Sequence, residues 1–203
     1  MKNFAAALVC LMLASPAVGL SAELSGEPCA VPDNFELSTR DIDRIEHLVA
    51  SRTRGLGAAM ASENANERTV VSDLFAGGLL PTENISPGQY RCRTIKMGGL
   101  GPLVVYGYFR CEIRTGDTTL TIQKTTGSQR LFGTLTPAGG GLLYRGALHY
   151  GYEDQVVPYG ANPERDQVGC MVRNSKDDSR YLLELPSPQY ESYHDVLELI
   201  PVR

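Results

Sequence analysis

Apolar residues follow a period of two along most of the chain, from Gly88 to the last residues. Runs rich in β-branched and aromatic side chains alternate with short, glycine-containing breaks, which is typical of strands joined by tight turns. The predicted strands lie near residues 88–97, 103–114, 118–125, 129–136, 142–152, 167–174, 180–186 and 195–202. Because consecutive strands are expected to pair, the pattern predicts a mainly β fold. Its expected form is a small antiparallel up-and-down barrel of about eight strands, with a sandwich as the alternative.

Before residue 88 the apolar positions recur at helical spacing and predict two helices. The first covers about 38–60 and starts at serine and threonine, which are good N-caps, and the second covers about 66–76. An extended lead-in precedes them, so residues 23–87 form a lead-in with two helices before a barrel domain at 88–203. Each helix has an apolar face that needs a surface to cover. The pattern leaves open whether the helices block the barrel mouth or lie outside it.

The first residues predict export. Lys2 precedes an apolar run and then small residues, the pattern of a cleavable secretory signal peptide at 1–22. The apolar run is too short to span a bilayer. The mature chain is therefore expected to be periplasmic or secreted, without a membrane span. Its formal net charge of -4 becomes about -5 when Lys2 is removed, which argues against nucleic acid as a partner.

Cysteine usage predicts two disulfides. Four cysteines remain after removal of the predicted signal peptide, an even number in an oxidising compartment. If the first hairpin turns at its glycine-rich break, Cys92 lies directly opposite Cys111. Pairing these two leaves Cys29 with Cys170, and each bridge is expected to stabilise the fold by roughly 3–5 kcal/mol. The alternative is that Cys29 or Cys170 is a free buried thiol.

Alternation also gives the barrel an inner face and a hypothetical ligand pocket. In the first hairpin the inner residues are Tyr90, Cys92, Thr94 and Lys96 on one strand and Leu103, Val105, Gly107, Phe109, Cys111 and Ile113 on the next. The pocket consists of Tyr90, Lys96, Tyr144, Tyr150 and Glu198, with Arg130 at its mouth. Glu198 belongs to it only if that face of the last strand is the inner one. Because an isolated buried charge is costly, Lys96 and Glu198 would have to pair or meet a polar ligand, and the alternative is a structural ion pair in a filled barrel.

The sequence assigns no catalytic residue, metal or cofactor. Its three histidines, His47, His149 and His194, are scattered and predicted to lie on the surface, and no Gly-x-Ser-x-Gly elbow accompanies them. No Cys-x-x-Cys or Cys/His spacing predicts zinc, and the glycine patterns of nucleotide sites are missing. One long break, 153–166, is predicted to be a lid or binding loop, or an ordered loop without a ligand.

Six short motifs are spread over most of the mature chain. They are 91–96 (RCRTIK), 102–106 (PLVVY), 109–111 (FRC), 127–130 (GSQR), 166–169 (DQVG) and 195–199 (DVLEL). Together they resemble an uncharacterised family of exported proteobacterial proteins known only as a domain of unknown function, a resemblance that implies no activity and no site residues. In addition, 88–90 (GQY) is similar to the Gly-x-Trp that opens lipocalin barrels, with tyrosine in place of tryptophan.

These patterns favour binding over chemistry. The expected function is that of an exported, non-enzymatic, lipocalin-like binding protein for a small, partly apolar ligand. The inner tyrosines would hold the ligand, and Lys96 or Arg130 would meet an anionic group on it. The alternative is an inhibitor or adaptor of another cell-envelope protein, which the loop at 153–166 or the lead-in would contact. A hydrolase with an unrecognised site is a third hypothesis.

Overall fold

The computed structural model describes residues 28–33, 35–117 and 119–202, so the predicted signal peptide at 1–22 and the first residues of the lead-in lie outside the described residues. The helices are α1 (Thr39–Glu46), α2 (Leu48–Met60) and α3 (Ala65–Phe75). The strands are β1 (Leu79–Leu80), β2 (Gly88–Met97), β3 (Leu103–Val105), β4 (Phe109–Thr115), β5 (Leu120–Lys124), β6 (Gln129–Ala138), β7 (Gly141–Tyr150), β8 (Asp166–Asn174), β9 (Tyr181–Pro186) and β10 (His194–Pro201).

Eight of the strands close into an antiparallel barrel. Going round it, β2, β4, β5, β6, β7, β8, β9 and β10 pair in sequence order, and β10 pairs back onto β2. The short β1 and β3 add to β8 and β2, respectively. The predicted mainly β, up-and-down barrel preceded by helices is therefore confirmed. The first predicted helix is divided into α1 and α2 at His47, whose φ of -111° and ψ of 21° leave the helical region.

Two apolar layers hold this architecture together. One fills the barrel interior and consists of Ile85, Tyr90, Cys92, Cys111, Ile113, Ile122, Leu131, Leu135, Leu142, Tyr144, Met171, Leu183, Leu185, Leu197 and Leu199. The other lies between the barrel wall and the helices, where α1 packs on β8, α2 packs on β9, β10 and β2, and α3 packs on β3. The helices therefore lie outside the barrel wall.

The first hairpin departs from the predicted pairing by two residues. Cys92 faces Phe109, and Tyr90 faces Cys111, so the two cysteines are diagonal rather than direct neighbours. Their disulfide still forms, with Cα atoms 5.8 Å apart, because both side chains point into the barrel. The second predicted pair, Cys29 with Cys170, is also bonded, with Cα atoms 5.7 Å apart, and fixes the lead-in to the outer face of β8.

The predicted strand at 103–114 is two strands, because residues 106–108 interrupt its pairing with β2. Three residues of this segment lie opposite two of β2, and the extra residue exchanges the two faces, as in a β-bulge. Leu103 and Val105, predicted to point inward, instead pack on the helix side, whereas Cys111 beyond the bulge points inward as expected.

Inside the barrel the ring of Tyr144 lies against the wall that β6 and β7 form. Gly133 and Gly146 face each other on β6 and β7, and the ring lies over both. A Cβ atom at Gly133 would lie 2.4 Å from Cε2 of Tyr144, and one at Gly146 would lie 2.3 Å from its hydroxyl oxygen. The two glycines are therefore needed for space, and Tyr144 packs as part of the core.

Candidate functional site

A cavity of about 500 Å³ opens at one end of the barrel. In an up-and-down barrel every second connection lies at the same end, and here these connections are 98–102, 125–128, 151–165 and 187–193. Their residues form the rim, which includes Leu100, Glu164, Arg165, Pro188, Gln189, Tyr190 and Glu191. The mouth is thus built from loops on a rigid barrel, the usual position of a ligand site in such folds.

The deeper wall of the cavity is apolar. It consists of Leu131, Leu148, Leu185 and Leu197, which come from four different strands, together with the side chain of Tyr150. These residues point inward because alternate positions of each strand face the barrel interior. An apolar portion of a ligand would lie against this wall.

Besides Arg165 at the rim, three cationic side chains on the strands line the same cavity, those of Lys96, Lys124 and Arg130. Lys124 is the most deeply buried of them, with 6% of its surface exposed. Its Nζ atom donates a hydrogen bond to the carbonyl oxygen of Gln129 at 2.8 Å and lies 4.2 Å from the ring centroid of Phe109. Within the described residues no carboxylate forms an ion pair with it. Burial, and then the charges of Lys96 and Arg130, lower the pKa of Lys124 to about 8.

Lys96 has the opposite environment. Burial disfavours its charge, but Asp195 and Glu191 outweigh that effect and raise its pKa. Its Nζ atom is ion-paired with Glu191 and lies 3.9 Å from Oδ2 of Asp195. Burial raises the pKa of Asp195 to about 6, although Lys96 and the hydroxyl of Ser192 favour its ionised form. The cavity therefore carries a permanent cation at Lys96 beside two groups that titrate near neutral pH.

The loop at 187–193 crosses the mouth under backbone strain. Ser187 and Glu191 are non-glycine residues with positive φ, at 42° and 77°, respectively. The carbonyl oxygen of Glu191 accepts a hydrogen bond from the backbone N–H of Leu100 at 2.9 Å, and its carboxylate pairs with Lys96. Strained residues of this kind persist where surrounding contacts fix them, and they concentrate at functional sites.

The six residues of the predicted pocket are distributed over three places. Lys96, Arg130 and Tyr150 line the cavity together. Tyr144 lies below them in the filled centre of the barrel, where its hydroxyl donates to the carbonyl oxygen of Phe132 at 3.4 Å. Tyr90 is also inside the barrel, but about 20 Å from Lys96 along the same strand. Its hydroxyl donates to the carbonyl oxygen of Ser86 at 2.7 Å.

Glu198 lies on the outer face of the barrel, so the hypothetical Lys96–Glu198 pair does not exist. Leu197 and Leu199 fill the interior, and the residue between them must point outward. Glu198 is ion-paired with Arg93, the residue opposite it on β2, and accepts a hydrogen bond from the hydroxyl of Tyr108 at 3.2 Å. The β10 residue that faces Lys96 is Asp195.

Sequence reasoning missed Lys124 and Asp195. The alternation Leu120, Ile122, Lys124 along β5 already placed the lysine on the inner face, since Ile122 is part of the barrel core. The alternation did not show which side chains surround Lys124, because Lys96 and Arg130 come close to it only when the barrel closes. Asp195 is the second residue of β10, and its inward direction follows from the inward Leu197 two residues later.

Two of the predicted surface histidines, His149 and His194, are buried instead. His194 lies under α2, with Nδ1 3.0 Å from Oγ of Ser51 and Nε2 3.2 Å from Oε1 of Glu184. This order of groups matches a nucleophilic serine triad. However, Oγ of Ser51 donates to the carbonyl oxygen of Tyr193 at 2.8 Å and accepts from the backbone N–H of Ser187 at 3.0 Å. The Ser51 hydroxyl therefore both donates to and accepts from the backbone in structural hydrogen bonds, and the cluster links α2 to the barrel.

The described residues contain no group of three or more His, Cys, Asp or Glu side chains placed to hold a metal ion. Among the described helices, none has both the length and the apolar character needed to cross a bilayer.

Comparison with known proteins gives one match. A family model described as DUF4893, a domain of unknown function, matches residues 35–199, which include the three helices and most of the barrel. Neither the curated proteins nor the solved structures give a significant match.

Proposed function

The chain belongs to the DUF4893 family, a domain of unknown function, and from its cavity we propose that it is an exported, non-enzymatic binding protein for a small, partly apolar anion. The anionic group of the ligand meets Lys96, Lys124 and Arg130, and its apolar part lies against the leucine wall. A cavity of this size with a few convergent polar groups is typical of small-molecule sites.

The uncompensated charge of Lys124 is the observation that carries this proposal. A buried ammonium group normally pairs with a carboxylate, because taking it out of water is costly. The carboxylates of Glu191 and Asp195 interact with Lys96 instead, and within the described residues neither Lys124 nor Arg130 forms an ion pair, although Glu164 and Asp166 also line the cavity. A bound anion would pair with these two cations, which is why an anionic ligand fits better than a neutral or cationic one.

Export rests on two further observations. The barrel carries two disulfides, which persist in oxidising compartments. The first 22 residues have the pattern of a signal peptide, although they lie outside the described residues. These two observations together support a periplasmic or secreted location.

Replacing Lys124 with methionine is expected to weaken binding of 8-anilinonaphthalene-1-sulfonate about tenfold or more. The probe carries one sulfonate on an apolar aromatic system, and methionine removes the charge while keeping an apolar stem. Fluorescence titration measures the dissociation constant. The matched control is Lys176→Met, because Lys176 is exposed at the opposite end of the barrel.

Equal affinity of the two variants, with both retaining the wild-type melting temperature, would contradict the proposal. If native mass spectrometry of gently purified protein finds no small anion, and a stoichiometric envelope protein is captured instead, the adaptor hypothesis replaces it. In that case deletion within 153–166 should abolish capture.

Affinity for the same probe is expected to fall as pH rises from about 5 to about 9, by roughly tenfold overall. The sulfonate stays ionised throughout, so the change comes from the cavity. As pH rises through about 6, Asp195 becomes negative, and as it rises through about 8, Lys124 loses its positive charge. Both steps make the cavity less positive. Asp195→Asn should remove the lower step and Lys124→Met the upper one, whereas an affinity that increases with pH would contradict the assignment.

A further inference from the structure

We infer that Lys124 is a carbonyl-reactive amine, which forms an imine with an aldehyde or ketone whose anionic group is bound by Lys96 and Arg130. This inference rests on the proposed binding function and narrows its ligands to carbonyl compounds that carry a negative charge. Lys124 would then make a reversible covalent bond rather than a purely ionic contact.

The geometry of the cavity keeps Lys124 accessible to a ligand and weakly held. Its amine lies on the cavity wall, and its single hydrogen bond within the described residues goes to a backbone carbonyl, that of Gln129. The face of the Phe109 ring is 4.2 Å away and favours the charged form, in opposition to the effect of burial. A lysine held in an ion pair would have to lose its partner before reacting, whereas Lys124 has no ion-pair partner in the part of the chain that the structure describes.

The groups that face Lys124 from the surrounding elements favour its neutral form. Lys96 on β2 and Arg130 on β6 are positive, while Asp195 on β10 and Glu191 in the mouth loop are engaged with Lys96. An amine beside other cations in an apolar cavity is the arrangement that activates lysine as a nucleophile.

The two lysines of the cavity, Lys96 and Lys124, therefore have different roles. The carboxylates raise the pKa of Lys96 against the effect of burial, so it stays an ammonium that can bind an anion. Burial and neighbouring cations bring the pKa of Lys124 to about 8, so a substantial fraction is neutral at physiological pH. Groups whose environments push their pKa values apart are suited to different tasks in one site.

The reaction balances without a further reagent. The nitrogen lone pair of Lys124 attacks the carbonyl carbon and forms a C–N bond. Both hydrogens of the neutral amine pass to the carbonyl oxygen, which leaves as one water molecule. The product is the imine, and hydrolysis by one water molecule reverses it.

The test is reductive trapping on the wild-type mature protein. The probe is 4-formylbenzoate, a small anionic aldehyde, and sodium cyanoborohydride is the reductant that delivers hydride to the protonated imine carbon. The chain has four lysines, and Lys2 belongs to the predicted signal peptide, so Lys96, Lys124 and Lys176 are compared by peptide mapping. We expect the adduct at Lys124 to form about tenfold or more faster than at exposed Lys176, with a rate that rises as pH approaches about 8.

Two controls test the role of the cavity. Uncharged benzaldehyde should react with Lys124 about tenfold more slowly than 4-formylbenzoate, because Lys96 and Arg130 no longer hold the probe. Lys124→Arg should lose the fast adduct, because arginine does not form the imine, while the slow adduct at exposed Lys176 stays unchanged.

Adducts spread equally over the three lysines, a preference for Lys96, or equal rates with the two aldehydes would overturn the inference. If 8-anilinonaphthalene-1-sulfonate binds but Lys124 is not trapped, the carbonyl chemistry is wrong and the binding function stands. If neither occurs, both are wrong.

Discussion

Replacing Cys29 and Cys170 together with alanine is expected to lower the free energy of unfolding by about 5 kcal/mol. This bridge joins residues 141 positions apart, so its loss frees most of the unfolded chain from a constraint. It also detaches the lead-in from β8. Gly141, the first residue of β7, packs against both sulfur atoms, since a Cβ atom at Gly141 would lie 2.6 and 2.7 Å from them. Urea denaturation followed by far-UV circular dichroism measures the change.

The second disulfide is the matched control, because its sulfur atoms are also buried. Cys92 and Cys111 are only 19 positions apart, so the corresponding double alanine variant should lose about 3 kcal/mol. If this variant were the less stable of the two, packing inside the barrel would outweigh chain entropy, and the prediction would be wrong.

Replacing Arg52 with methionine is expected to destabilise the protein by about 3–5 kcal/mol, because it leaves a buried carboxylate without its main partner. Glu184 is fully buried beneath α2. Arg52 donates to both of its oxygens, at 2.6 and 2.5 Å, and His194 contacts Oε1 at 3.2 Å. Thermal or urea unfolding near pH 7 measures the loss.

A double variant, Arg52→Met with Glu184→Met, should recover most of that stability, since it removes the unpaired charge and not only its partner. Arg114→Met serves as a surface control, because the Arg114–Glu112 pair is exposed and should contribute little. A double variant less stable than Arg52→Met alone would show that the cluster stabilises through more than charge pairing.

The same cluster gives wild-type stability a defined pH dependence. Burial pushes the pKa of Glu184 upward, but hydrogen bonds from His194 and Arg52 outweigh it and lower the pKa below its ordinary value. The contribution of Glu184 is therefore present above the unfolded-state pKa and is lost as pH falls through the lower folded-state value. The Arg52→Met variant should show a weaker loss of stability on acidification.

The strand order and both disulfides could be predicted from the sequence because they depend on local and repeated features. Period-two alternation with short breaks specifies strands that pair in sequence order, and closure removes the remaining edges. An even number of cysteines, with two on adjacent strands, left one plausible pairing for the other two. The strand order does not depend on the exact register, and the predicted Cys92–Cys111 pair survives a register error of two residues because both side chains stay on the inner face.

What could not be predicted depends on single-residue displacements and on contacts across the barrel. The bulge at 106–108 exchanged the two faces of one strand, and no composition signal distinguishes it from a continuous strand. On β10 both faces are buried, one by the core and one by helices or ion pairs, so alternation alone did not reveal that Glu198 points outward. Lys124 lies among cations only because β2, β5 and β6 meet at one end of the closed barrel.

The apolar side chains that fill the interior below the cavity make the barrel a cup rather than a tunnel. Anything held above them has to leave by the opening through which it entered, past the loops at 151–165 and 187–193. A long alkyl chain would protrude into solvent, so the depth of the cup sets an upper limit on the molecules it can enclose. Entry and release of a ligand then both pass through the same mouth, so changes in these two loops would alter how fast it exchanges.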